Sequence, residues 1–157
     1  MSRFSRSFLA LAVAGALCGG VGCAQPAPVV QVSEAHPHMH DALAHLRASK
    51  RELEHAEEIF RGHRDEAIEH VDRAIHQVED GLREQGDTVA SSAEAPLAHD
   101  FEDARFPRLR RALAHLREAR NDLEAAEPIF GGHRDRAIEA TDRAINQVEQ
   151  GIHDAER

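Results

Sequence analysis

The chain has 157 residues, 41% of them apolar and 30% charged, enough for one domain and short of two independent ones. Its 28 acids outnumber 19 bases for a formal charge of -9, and a surface of that sign repels a phosphate backbone, which argues against nucleic-acid binding. Trp and Tyr, the side chains most used for aromatic cages and base stacking, are absent, whereas histidine is abundant, with 12 residues, all after position 35.

Residues 1–24 read as a secretion signal. Arg3 and Arg6 precede an apolar run from Phe8 to Leu17, shorter than the roughly 18 residues a spanning helix needs, and small residues follow. Two readings of the cleavage site stand. Gly22-Cys23-Ala24 is a small-x-small site that would release a soluble protein from Gln25. Alternatively, GGVGC resembles a bacterial lipoprotein box, with the signal ending before Cys23, which is then lipidated and anchors the protein to a membrane. Either way the expectation is an exported protein, periplasmic or membrane-anchored on the periplasmic side. Arg3 and Arg6 are the only charges in this segment, so without it 17 bases face 28 acids and the net charge is -11. Both cysteines, Cys18 and Cys23, lie here too, which leaves the remainder no thiol for a disulfide, a thiolate metal site or a nucleophile. Residues 25–35 carry two prolines and few charges, and suit a tether.

The strongest signal is an internal repeat. Residues 36–82 align without gaps on 106–152, with 28 of 47 positions identical. Each copy reads as two helices joined at a glycine, predicted over 38–60 and 64–82, then 108–130 and 134–152. In the first helix Met39, Ala42, Leu46, Ser49, Leu53, Ala56 and Phe60 alternate by three and four, and Leu109, Ala112, Leu116, Ala119, Leu123, Ala126 and Phe130 repeat the pattern. That is a seam of alternating large and small residues. Pro37 and Pro107 suit a helix start, where a missing N–H costs nothing. Gly62 and Gly132 suit the left-handed turn that ends a helix. In the second helix Ile68, Val71, Ile75, Val78 and Leu82 form the stripe, flanked by Ala67, Ala74 and Gly81, with Ile138, Thr141, Ile145, Val148 and Ile152 as counterparts. Asp65 and Asp135 fall in the first turn, beside the positive helix end. No segment alternates with period two, so no strands are predicted.

Neither hairpin buries its stripe alone. The expected fold is therefore all-α, an antiparallel four-helix bundle built from two tandem helical hairpins within one domain, 36–157. The linker, 83–105, is long enough either to return to the same end or to cross the bundle.

Histidine is the one side chain here that suggests chemistry. His36, His38 and His40 stand in HPHMH around Met39. Imidazole binds Cu, Ni and Zn, and a thioether favours Cu(I). Alternate residues share a face when extended, and His36 and His40 share one in a helix; a solvated helix start explains the cluster equally well. His45 and His115 occur in both copies beside the seam residues Leu46 and Leu116, which predicts packed, half-buried rings with one hydrogen-bond partner. His63 and His133 stand in G-H-R-D at the hairpin turn, where the ring would cap or pack over the helix end. His55, His70 and His76 point outward and have Ala125, Ala140 and Asn146 as counterparts. His99 and His153 have no readable context.

The run from Gly62 to His76, GHRDEAIEHVDRAIH, resembles the GHxDxxxEHxxxAxxH-type repeats of the small metal-binding protein family. Those are His-rich periplasmic four-helix bundles implicated in binding copper and other divalent metals. The resemblance implies metal-binding roles for His63, His70 and, one residue out of register, His76; the second copy keeps only His133 of this series.

No catalytic motif is present. Glu52-Leu-Glu-His55 fits a di-iron ligand pattern once, but the second copy reads Asp122-Leu-Glu-Ala125. C-x-x-C-H, a phosphate loop, G-x-S-x-G and H-E-x-x-H do not occur. The expectation is a non-catalytic exported bundle that binds Cu, Ni or Zn through His36, His38, His40, His63, His70 and His76. The alternative is a structural or partner-binding envelope bundle whose histidines are solvated or pH-responsive contacts. Convergent imidazoles would favour the first, scattered ones the second.

Overall fold

The computed structural model describes residues 35–57, 60, 62–89, 95–97, 101–102 and 104–157. The predicted secretion signal, the predicted lipidation at Cys23 and most of the predicted tether lie outside these residues. Four helices follow in chain order: α1 Pro37–Glu54, α2 His63–Glu84, α3 Pro107–Ala125 and α4 His133–Glu156. The described residues contain no strand, and the fold is an all-α four-helix bundle. None of its helices is long and apolar enough to cross a membrane.

Pro37 and Pro107 open α1 and α3 as the sequence predicts. These helices end earlier than predicted, at Glu54 and Ala125 instead of 60 and 130. In the second copy the chain turns extended at Ala126 (φ -65°, ψ 151°), two residues before Pro128, whose ring disfavours further helix. Phe60 and Phe130 are nevertheless core residues, 2% and 1% exposed. They reach back from the turn instead of standing on the helix. Arginines of the following helices satisfy freed carbonyls there: Arg64 donates to the Ala56 carbonyl at 3.0 Å and Arg134 to that of Ala126 at 3.1 Å. Gly62 and Gly132 have positive φ, +90° and +87°, as expected of turn glycines, but they immediately precede α2 and α4 instead of closing α1 and α3.

α1 packs most extensively on α3, and α2 on α4; the contacts inside each hairpin, α1 with α2 and α3 with α4, are less extensive. His36 meets Glu127 at one end of the α1–α3 pair and Phe60 meets Phe106 at the other, so those two helices are antiparallel. His63 meets Gln147, and His133 meets Gln77, so α2 and α4 are antiparallel too. The two hairpins are thus related by an approximate twofold axis across the bundle, and their internal ion pairs repeat. Arg47 with Glu79 (2.8 Å) and Lys50 with Asp72 (2.7 Å) brace the first; Arg117 with Glu149 and Arg120 with Asp142 (both 2.8 Å) brace the second.

The arrangement decides the course of the linker. α2 ends beside the start of α4, where Glu84 meets His133, whereas α3 begins at the opposite end, beside Phe60. The connection therefore crosses the length of the bundle. Asp87 lies 3.4 Å from His40, Val89 packs on the core, and Ala95 and Pro96 lie beside Ala48, Arg51, Glu52 and His115.

On α1 and α3 the core follows the predicted seam, joined by Leu43 and Leu113. On α2 it is rotated from the prediction. Ala67, Val71, Ala74, Val78, Gly81 and Leu82 are buried, whereas Ile68 and Ile75, and likewise Ile138 and Ile145, are only half-buried against it. Small side chains let α2 and α4 approach closely: a Cβ on Gly81 would stand 3.2 Å from that of His133, and one on Gly151 3.3 Å from that of His63. The larger isoleucines are displaced to the flanks. The buried hydroxyls of Ser49 and Thr141 donate within their own helices, to Leu46 and Ala137 carbonyls at 2.7 and 2.8 Å. In this seam Ala74→Leu is expected to destabilise the bundle by about 1–3 kcal/mol through overpacking. A shift in the urea midpoint reads it; no shift would mean that α2 and α4 are not closely packed at that position.

Candidate functional site

Where two copies of one helix cross antiparallel about a twofold axis, the residue on the axis meets its own counterpart. On the α1–α3 side that residue is His45, and its counterpart is His115. The two rings face each other with Nδ1 atoms 3.1 Å apart and centroids 5.4 Å apart. A neutral imidazole has one N–H and one lone pair, so one ring donates and the other accepts: the two carry opposite tautomers. His115 is 6% exposed and His45 half-buried. Burial, reinforced by His45, Arg51 and Arg111, pushes the His115 imidazole down to about 4. At neutral pH it therefore keeps a lone pair.

The surroundings of the pair are not symmetric. Glu52, on the His115 side, faces Arg108 at 3.5 Å and Arg111 at 3.3 Å. Its counterpart Asp122 has its carboxyl pushed up by burial, with the charges of His45, Asp41, His38 and Glu118 acting on it. Positive charge thus gathers near His115 and carboxylates near His45. Ala48, Arg51, Glu52, Ala95, Pro96 and His115 line an open cavity of ≈ 480 Å³.

The predicted HPHMH cluster does not converge. His36 precedes α1, bonds Glu127 through Nδ1 at 2.7 Å and packs edge-on against Phe130. His38 is exposed, and His40 is buried toward Asp87. Met39 is fully buried in the core. Its sulfur belongs to packing. His36 and His38 still share a small cavity of ≈ 230 Å³ with Glu127. The helix starting at Pro37 turns successive residues by about 100°, which separates side chains that an extended strand would align.

His63, His70 and His76 do not form one site either. His63 serves as a clasp between hairpins: Nδ1 lies 2.8 Å from Gln147 Oε1 and Nε2 3.5 Å from Asp154. His133 repeats it with Gln77 and Glu84, each at 3.1 Å. The sequence places these rings over the helix end at the turn; their hydrogen bonds run to side chains of the other hairpin instead. His70 and His76 line one open groove with Arg73, Arg136 and Arg143 on the α2–α4 face. Burial and then Arg73 and Arg143 lower the His70 pKa. His55 closes the end of α1 on the Arg51 carbonyl at 2.7 Å. His99 lies outside the described residues, and His153 is exposed.

Among the described residues no group of three or more His, Cys, Asp or Glu side chains is placed to hold a metal ion. Among the described residues the two imidazoles within hydrogen-bond distance of each other are His45 and His115, the rings for which the sequence predicts packing with one hydrogen-bond partner. The signal was there: a histidine matched in both copies near the middle of the first helix sits where an antiparallel pair of equal helices crosses. Comparison with protein-family models, with curated proteins and with solved structures finds no match for this chain.

Proposed function

We propose that this chain is an exported, non-catalytic helical bundle that binds copper-type or divalent cations (Cu, Ni or Zn) through paired histidines, His45 with His115 foremost. The 3.1 Å between their Nδ1 atoms carries this reading. Two nitrogens bound to one ion at 2.0–2.1 Å stand roughly 2.9–3.4 Å apart for angles between square-planar and tetrahedral. The spacing therefore suits such an ion, once the shared proton moves to a ring Nε2 and the rings tilt to turn both Nδ1 lone pairs toward it. Two imidazoles chelate more weakly than three, and Arg51 and Arg111 oppose a cation, so the affinity is modest. His36 with His38, and His70 with His76, provide looser pairs, which fits a stoichiometry above one. Export, and membrane anchoring if Cys23 is lipidated, rest on residues 1–24 and belong to the same proposal.

A second reading, a structural or partner-binding envelope bundle without a metal site, is favoured by a different observation. His36, His40, His63 and His133 are each engaged by a carboxylate from another segment. Calorimetric titration with Cu, Ni and Zn at pH 7.5 and 5.5 separates the two. Binding at pH 7.5 is expected to weaken at least tenfold in His115→Asn and to persist in part at pH 5.5, where His115 is still neutral. The triple variant His36→Asn, His38→Asn, His40→Asn should change it less. No binding by the unaltered protein would leave the structural reading.

A further inference from the structure

Each hairpin is held more by the other hairpin than by its own two helices packing together. The clasps lie across that same boundary: His63 on Gln147 and Asp154, and His133 on Gln77 and Glu84. What joins the halves covalently is one connection, the 22 residues between Glu84 and Pro107, which must cross from one end of the bundle to the other. Nothing in the packing requires the two hairpins to come from one chain.

The boundary also distinguishes unlike from like hairpins. Glu52 of the first faces Arg108 and Arg111 of the second. In a pair of first hairpins those places would be taken by their counterparts His38 and Asp41, setting a carboxylate against Glu52. On the α2–α4 side His70 and its smaller counterpart Ala140 line one groove. Two first hairpins would bring two His70 rings together there.

We infer that the hairpin boundary also serves between two copies of this chain, each first hairpin docking on the second hairpin of the partner to give an exchanged dimer. A connection of this length gives the intramolecular partner an effective concentration in the millimolar range, so the monomer prevails at micromolar protein. Exchange takes over when the chain folds at higher concentration or when the connection cannot span the bundle. Deleting 88–103 leaves six residues between Glu84 and Pro107. They reach about 24 Å at full stretch, against about 28 Å for the length of α3 alone.

The decisive experiment uses full-length chains in complementary pairs. Glu52→Arg in one chain and Arg108→Glu with Arg111→Glu in another each set like charges across the boundary within a single molecule. Refolded together, an exchanged heterodimer restores both boundaries at once. Light scattering on the eluted species should show twice the monomer mass, with both chains present in equal amounts, whereas either variant refolded alone should give less dimer. The 88–103 deletion should be dimeric at micromolar concentration with undiminished helicity. Monomers only from the mixed variants, or a helical monomer from the deletion, would overturn the inference. Unaltered chain refolded near millimolar concentration guards against a deletion that fails to fold: it should yield a dimer fraction absent at 5 μM, and its absence counts against exchange.

Discussion

Leu53→Ala is expected to cost about 2–5 kcal/mol of stability, a large part of the roughly 5–15 kcal/mol available to a domain of this kind. Leu53 is fully buried near the end of α1, in the continuous core that all four helices share. Removing its isopropyl group forfeits the transfer energy of the buried carbons. It also leaves a cavity that fixed helix backbones close only in part. The approximate symmetry supplies a control, since Leu123 occupies the same place in the second copy and is equally buried. Leu123→Ala should therefore cost a similar amount. Urea unfolding with an unchanged slope reads both; an effect below about 1 kcal/mol would put the seam on the wrong face of the helix.

The second large effect is acid destabilisation through the histidine pair. In the folded protein His115 titrates at about 4, whereas an exposed histidine titrates near 6.5. Between those values the unfolded chain binds the proton and the folded chain does not, so stability falls as pH drops. The contribution is fully present above pH 6.5. About 2 kcal/mol of it is lost by pH 5, and about 3 kcal/mol once the pH falls below 4. In His115→Asn this component disappears. The difference between the two proteins' urea midpoints should therefore change between pH 7.5 and pH 5.0 in favour of the variant. Parallel curves for the two would show that His115 is not held neutral by burial.

Much of the fold was legible because the chain states it twice. A matched seam of Leu, Ala and Phe over two ungapped copies predicts four helices, and the prolines and turn glycines locate their junctions. Three things were not legible. The end of α1 at Glu54 depends on Phe60 folding back from the turn, which periodicity reads as one more helical position. The rotation of α2 depends on how closely it packs against α4, and hydrophobicity alone prefers Ile68 and Ile75 to Ala67 and Ala74. The linker's path depends on which ends of α2 and α3 face the same way, a property of the assembled bundle.

The candidate site was less legible, because residue counts weigh clusters along the chain while the axis pairs positions 70 residues apart. HPHMH is conspicuous in sequence, yet its rings turn toward Glu127, solvent and Asp87. His45 and His115 are inconspicuous singly, and only the antiparallel crossing of α1 and α3 brings their nitrogens to 3.1 Å.

Whether that pair holds a cation is tested most directly by counting nitrogens on the bound metal. Pulsed electron paramagnetic resonance of the protein carrying one equivalent of Cu(II) at pH 7.5 resolves couplings to imidazole nitrogens. Two coupled imidazoles are predicted for the unaltered chain, and one in either His45→Asn or His115→Asn. The same two-imidazole signal in both variants, or a copper spectrum without imidazole coupling in the unaltered protein, would contradict it.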